Sequence, residues 1–178
     1  MVNIPTLIDL LQEGFEEVEN FAAHSPYEVF YAKPADDVWS AAENVQHLIQ
    51  SVLPLSRLFG RPKSYFEEKW GLATHTSRNY EVIKATYHNA LGAGIKATGA
   101  FAPLTPSAEL GLLLGEFAQT NKALVNQLAD WSEEDLDIYG IPHPLLGLLT
   151  VREMLLFTAY HTRHHLEIMQ KRVALVIE

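Results

Sequence analysis

The chain has no cysteine among its 178 residues. That excludes disulfides, a thiolate nucleophile and any thiolate metal site, so a bound metal has to be held by imidazole nitrogen or carboxylate oxygen. Basic residues are also scarce: 13 Lys and Arg against 22 Asp and Glu leave a net charge of −9. That is the wrong sign for gripping a phosphate backbone, and no nucleic-acid partner is expected. No apolar run approaches the length of a membrane span. Met1-Val2-Asn3-Ile4-Pro5 lacks the basic-then-apolar pattern of a secretory leader. The expectation is a cytoplasmic protein with no membrane partner. A Gly-x-Ser-x-Gly elbow is missing too, which argues against a serine hydrolase. No segment shows strand alternation, and there is neither an internal repeat nor a low-complexity tract.

What is present reads as helix. The 48% hydrophobic content is in the globular range, and the length suits one domain over residues 1–178. Helix one is predicted over 5–23, with Pro5 in its first turn and an apolar stripe of Ile4, Ile8, Leu11, Phe15, Val18 and Ala22. His24 falls at its exposed end, where a cation is favoured. Ser40 with Glu43 makes a capping box that starts helix two, which runs to about residue 58. A loop holds residues 60–77, with a short helix near 65–70, and His75 is read as a surface residue. Helix three is expected over 79–99, aligning Ile83, Tyr87, Leu91 and Ile95. Gly92, Gly94 and Gly99 match no phosphate motif and read as close contacts or a helix end. Helix four is expected over 106–128, with Thr105 as N-cap and Pro106 as its first residue. Asn121 lies in its apolar stripe as a candidate pocket residue. Residues 130–149 form a second irregular connection that begins with a solvated acidic turn. Thr150 and Glu153 make another capping box, and the last helix then runs to about residue 173. The fold class is an all-α, up-down four-helix bundle with long connecting loops and an extra short helix.

The chemistry concentrates on that last helix, in His161, His164 and His165. His161 and His165 are four apart and share a face with Met154, Phe157, Thr158 and Ile168, so they point toward apolar neighbours. A buried imidazole needs hydrogen-bond partners or a metal, and two at this spacing present two nitrogens to one ion. Eight histidines give roughly 0.4 such pairs by chance, so a third ligand from elsewhere has to support the reading. His47 on helix two lies nearly opposite the aliphatic stripe of Ala41, Ala42, Val45, Leu48, Ile49 and Val52. Two arrangements are open. In one, His47 faces water. In the other, helix two is covered on both sides: His47 lines an interior pocket, and the aliphatic side packs elsewhere, for example on a second subunit.

Trp39-Ser40-x-x-Glu43-Asn44-x-x-His47-Leu48, taken with Leu149-Thr150-x-Arg152-Glu153-Met154 and His161-x-x-His164-His165, resembles the DinB-like superfamily of helical-bundle metalloproteins, YfiT-type proteins included. The resemblance spans nearly the whole chain in helix order, though its specific motifs are confined to these stretches. It implies that His47, His161 and His165 hold one divalent transition metal, zinc or nickel first and iron or copper after them. It also implies a homodimer. Glu43 is expected to orient His47 from one turn away, and His164 to lie in the second shell or flank the site. Three imidazoles leave coordination positions open. The leading expectation is a metal-dependent hydrolase or low-molecular-weight-thiol transferase with a small-molecule substrate. The alternative is a non-catalytic bundle that binds a metal or small ligand.

Overall fold

The computed structural model describes residues 2–92 and 99–177, with the side chain of Ala100 left out. Among these residues the chain forms α1 (Ile4–His24), α2 (Tyr27–Tyr31), α3 (Ala41–Phe59), α4 (Lys63–Trp70), α5 (Tyr80–Gly92), α6 (Leu110–Gln127), α7 (Glu133–Ile138), β1 (Gly140–His143), β2 (Gly147–Thr150) and α8 (Val151–Ile177). The all-α bundle is present, with α1, α3, α6 and α8 as its long members.

Both capping boxes that start the histidine-bearing helices are formed. The Ser40 hydroxyl accepts from the Glu43 N–H at 3.1 Å, and the Glu43 carboxylate accepts from the Ser40 N–H at 2.8 Å. Thr150 and Glu153 do the same at 3.1 and 3.0 Å. Each box satisfies two N–H groups at a helix start, where the first turn has no carbonyl to offer them.

Helix directions follow from contacts along α8. The Val2 carbonyl meets Arg152, and Gly14 lies against Thr162 and Arg163, so α1 runs parallel to α8. Trp39 meets Arg172, Asn44 meets His165 and His47 meets His161, so α3 runs antiparallel. α6 descends with α3: Phe117 is edge-on to Phe15, and Gln127 lies against Gly60. The long helices therefore read up, down, down, up, and the alternation of an up-down bundle is interrupted once. The cause is the long stretch between α3 and α6. In it α5 climbs beside α8, from Arg78 at Glu153 to His88 at His164, and returns the chain to the end it had left.

The core fills the bundle. Phe30, Phe66, Phe117, Leu7, Leu11, Leu48 and Ile83 are wholly buried, each contributing about 1.5–3 kcal/mol relative to exposure. The aliphatic side of α3 is part of this core. Val45, Leu48, Ile49 and Val52 are buried within a single chain, with α6 packed along α3. That surface therefore asks for no second subunit.

Two local expectations need correction. The fourth long helix begins at Leu110, not Pro106, and its N-cap Glu109 makes no side-chain cap bond. The hydroxyls of Tyr27 and Tyr31 take the carbonyls of Ala108 and Ser107, tying the preceding stretch to α2 as loop. Residues 130–149 are ordered rather than irregular. Ser132 and Asp135 cap α7, and β1 pairs antiparallel with β2 from Gly140↔Thr150 to His143↔Gly147. Gly147, at φ +73°, supplies the left-handed residue that closes so short a turn. α5 is described as far as Gly92, and the further extent expected of it, Gly94 and Ile95 included, lies outside the described residues.

Candidate metal centre

His47 on α3 and His161 and His165 on α8 come together in the interior, at 4%, 6% and 5% exposure. His161 Nε2 stands 3.3 Å from His47 Nε2 and 3.1 Å from His165 Nε2. One ligand nitrogen from each ring lies within 4.8 Å of the other two. For metal–nitrogen bonds of about 2.0–2.1 Å, two tetrahedral ligands stand about 3.3 Å apart. The two Nε2 separations are close to that edge.

The outer nitrogens explain why the Nε2 atoms converge. His47 Nδ1 donates to the Phe101 carbonyl at 2.6 Å, and His165 Nδ1 donates to Asn44 Oδ1 at 2.8 Å. The Asn44 amide is itself oriented, because its Nδ2 donates to the Ser40 carbonyl at 2.8 Å. With Nδ1 protonated, the Nε2 lone pairs of His47 and His165 are directed inward. This outer bonding fixes a tautomer ready for a metal. Burial lowers the pKa of all three imidazoles, that of His47 against the upward pull of the Phe101 carbonyl and those of His161 and His165 well below the ordinary value. They are neutral near pH 7, the state in which imidazole ligates. The donor set therefore fits a divalent transition metal.

Aromatic rings wall the cluster. Trp39 stacks on His165 at 6.4 Å and tilts over His47 at 5.2 Å. Phe157 stacks on His161 at 5.1 Å, and Tyr87 meets His161 edge-on at 5.9 Å. No further His, Asp or Glu joins the group among the described residues.

The other expected residues are placed as follows. Glu43 is not against His47: its carboxylate takes the Ser40 N–H and pairs with Lys33 at 2.7 Å. Asn44, one position on, is the residue that bonds a clustered imidazole. His164 flanks the site, its ring 5.4 Å from His165 and packed among Tyr87, His88 and Tyr160. Asn121 is buried on α6, and neither of its amide atoms has a hydrogen-bond partner among the described residues. His75 is bonded to Glu153 at 3.0 Å, at the start of α8. Sequence reasoning missed Asn44, whose only signal is its place inside the Glu43–His47 motif, and took Tyr87 as plain core. It also missed His143 at the hairpin end. The His143 ring lies 4.4 Å from Phe157, and its Nδ1 accepts from the Leu145 and Leu146 N–H groups at 3.2 Å. Two clefts of about 600 and 410 Å³ lie elsewhere, one beside Val2, Arg78 and Arg152, the other beside Arg61, Lys63 and Trp131, and no histidine lines either.

A family model described as the DinB superfamily matches residues 10–169. The crystal structure of a conserved protein from Enterococcus faecalis is similar with a TM-score of 0.62, covering 99% of this chain and 98% of that one. At 17% identity the likeness is one of fold. No curated protein matches.

Proposed function

The chain belongs to the DinB superfamily, and from that premise we propose that it is a metal-dependent enzyme acting on a small molecule, either a hydrolase or a low-molecular-weight-thiol transferase. His47, His161 and His165 are its metal ligands, with zinc or nickel the first candidates. One observation carries the reading: three neutral imidazoles point their nitrogens at one another, and no fourth protein ligand accompanies them among the described residues. A structural ion is normally closed in by four protein ligands, whereas three leave a position for an exchangeable group. A divalent ion held by these three histidines would lower the pKa of a bound water toward neutrality or deprotonate a bound thiol, the activation that the two reaction classes need.

The residues of the chain supply the rest. Asn44 and the Phe101 carbonyl hold two imidazoles in the ligating tautomer. Trp39, Phe157 and Tyr87 exclude water from their flanks. A homodimer belongs to this proposal as well. A second copy would have to dock on apolar residues left exposed, such as Leu112 on α6, rather than on the covered face of α3.

The test is a cobalt-loaded protein titrated with dithiothreitol. A new sulfur-to-cobalt charge-transfer absorption marks an exchangeable position and supports the enzyme. A cobalt spectrum unmoved by thiol and by hydroxamate alike marks a closed site, and the chain is then a non-catalytic metal-binding bundle.

A further inference from the structure

The three histidines account for the centre of the site but not for Tyr87 beside it. Tyr87 and Ile83 are the buried residues of α5, and Tyr87 is only 6% exposed. Its ring meets four rings of α8: Phe157 at 5.1 Å, His164 at 5.8 Å, His161 at 5.9 Å and Tyr160 at 6.1 Å. A phenol packed so closely normally finds a partner for its O–H. The neighbouring polar groups have theirs: the Tyr160 hydroxyl is hydrogen-bonded to His88 Nε2 at 2.5 Å, and Asn44 joins Ser40 to His165. The Tyr87 hydroxyl has none among the described residues.

It is not sealed in the core either. Asn121 is the one described residue whose unpaired side-chain polar atoms are closed off from solvent. The Tyr87 hydroxyl is not one of those closed-off atoms, and its ring lies 5.9 Å from that of His161. A phenol is an O–H donor at neutral pH. An unused donor at the edge of a convergent ligand set is how a site orients a bound molecule.

We propose that Tyr87 is the hydrogen-bond donor to the ligand of the three-histidine site, and that this ligand carries an oxygen acceptor of carbonyl or carboxylate type on an apolar body that packs against Tyr87 and Phe157. The inference rests on the metal reading above and adds to it the ligand's chemical class. Tyr87 acts on the ligand itself and not through the metal ligands, so removing its hydroxyl leaves metal binding intact.

The experiment uses benzohydroxamate, which joins a metal-binding oxygen pair to an aromatic ring, followed by the visible spectrum of the cobalt-loaded protein. Tyr87→Phe keeps the ring and deletes only an unpaired hydroxyl, so its melting temperature and cobalt affinity should equal the parent's. Its benzohydroxamate affinity should fall about three- to tenfold, the range for one lost hydrogen bond. Tyr80→Phe, on the same helix but with its ring against Tyr160, should bind as the parent does. Equal benzohydroxamate affinity in parent and Tyr87→Phe would overturn the proposal. So would a loss of cobalt affinity in Tyr87→Phe, which would make the residue a support for the ligands instead. A parent that takes up no cobalt at all fails earlier and differently: the metal reading itself is then wrong, and this inference goes with it.

Discussion

α8 carries two buried polar clusters, and they are built on opposite terms. In its first turn, Arg152 is 2% exposed and Glu153 is fully buried. All five N–H groups of the Arg152 guanidinium are used, on both Asp137 oxygens, on the carbonyl and carboxylate of Glu133, and on the Val2 carbonyl. Glu153 accepts from the Arg78 backbone and guanidinium, from His75 and from the Thr150 N–H. Further along the same helix, His161 and His165, with His47 of α3, are of similar burial and bring their Nε2 atoms together. Buried polar groups are normally satisfied by the protein itself. The first cluster obeys that rule completely, and the chain's α7 and 75–78 segments close on it. In the second, the inner nitrogens have only one another among the described residues, at 3.1 and 3.3 Å, an arrangement a metal ion would fit. The contrast separates a cluster that ties elements together from one whose donor set suits a metal ion.

Mutation should separate them in that way. Arg152→Ala removes one partner of a buried network and should cost about 3–5 kcal/mol of stability in urea unfolding. The fraction that stays folded should still take up metal. A loss below 1 kcal/mol would mean the knot is not structural.

Acid should reach the clusters in sequence. For the histidines the sign is as follows: an unfolded imidazole takes a proton near pH 6.5, while burial holds His143 at about 4 and keeps His161 and His165 well below the ordinary value. The unfolded state then binds more protons, so stability falls as pH drops below about 6.5. His143 alone should contribute a loss on the order of 3 kcal/mol by pH 4. Burial works against the charge of Glu153, but Arg78, His75 and two backbone N–H groups outweigh it and hold its carboxyl at about 2, against 4.5 unperturbed. Its contribution is complete above pH 4.5 and is lost between there and 2. Unfolding free energy measured from pH 8 to pH 3 should show both windows, and stability that stays flat down to pH 4.5 would contradict the first.

Asn44→Ala should weaken zinc binding by about 10–100-fold, because it frees the tautomer of His165. Affinity measured by competition with a chelator checks this, and an unchanged value would remove Asn44 from the account. The smallest effect is expected at Asn121, a buried polar residue that belongs to neither cluster. Asn121→Leu should raise stability by about 1 kcal/mol by removing an amide that pays desolvation with no bond in return.

The two clusters were not equally legible in the sequence. Thr150 and Glu153 announced the start of α8, and Ser40 and Glu43 that of α3, because a capping box is a local pattern. The i,i+4 spacing of His161 and His165 was equally local. That His47 joins them is set by the antiparallel register of α3 on α8, which no single segment encodes. The same register, not proximity in sequence, gives His165 the partner Asn44 and leaves Glu43 to Lys33. The hairpin was missed because its four-residue strands include Gly140, Pro142 and Gly147 and never alternate. Thr105-Pro106 misled for the opposite reason. It is a sound local helix start, overridden by two tyrosines of α2 holding residues 107 and 108. The acidic run at 133–137 looked like solvated turn until Arg152 and Lys63 were seen to use it.

The most direct measurement is the metal content of untagged protein, parent beside His47→Ala, after reconstitution with zinc or nickel. The account predicts about one ion per parent chain and close to none in the variant, with helicity unchanged, as three-imidazole ligation requires. A variant that holds as much metal as the parent, or a parent that holds none, would contradict it.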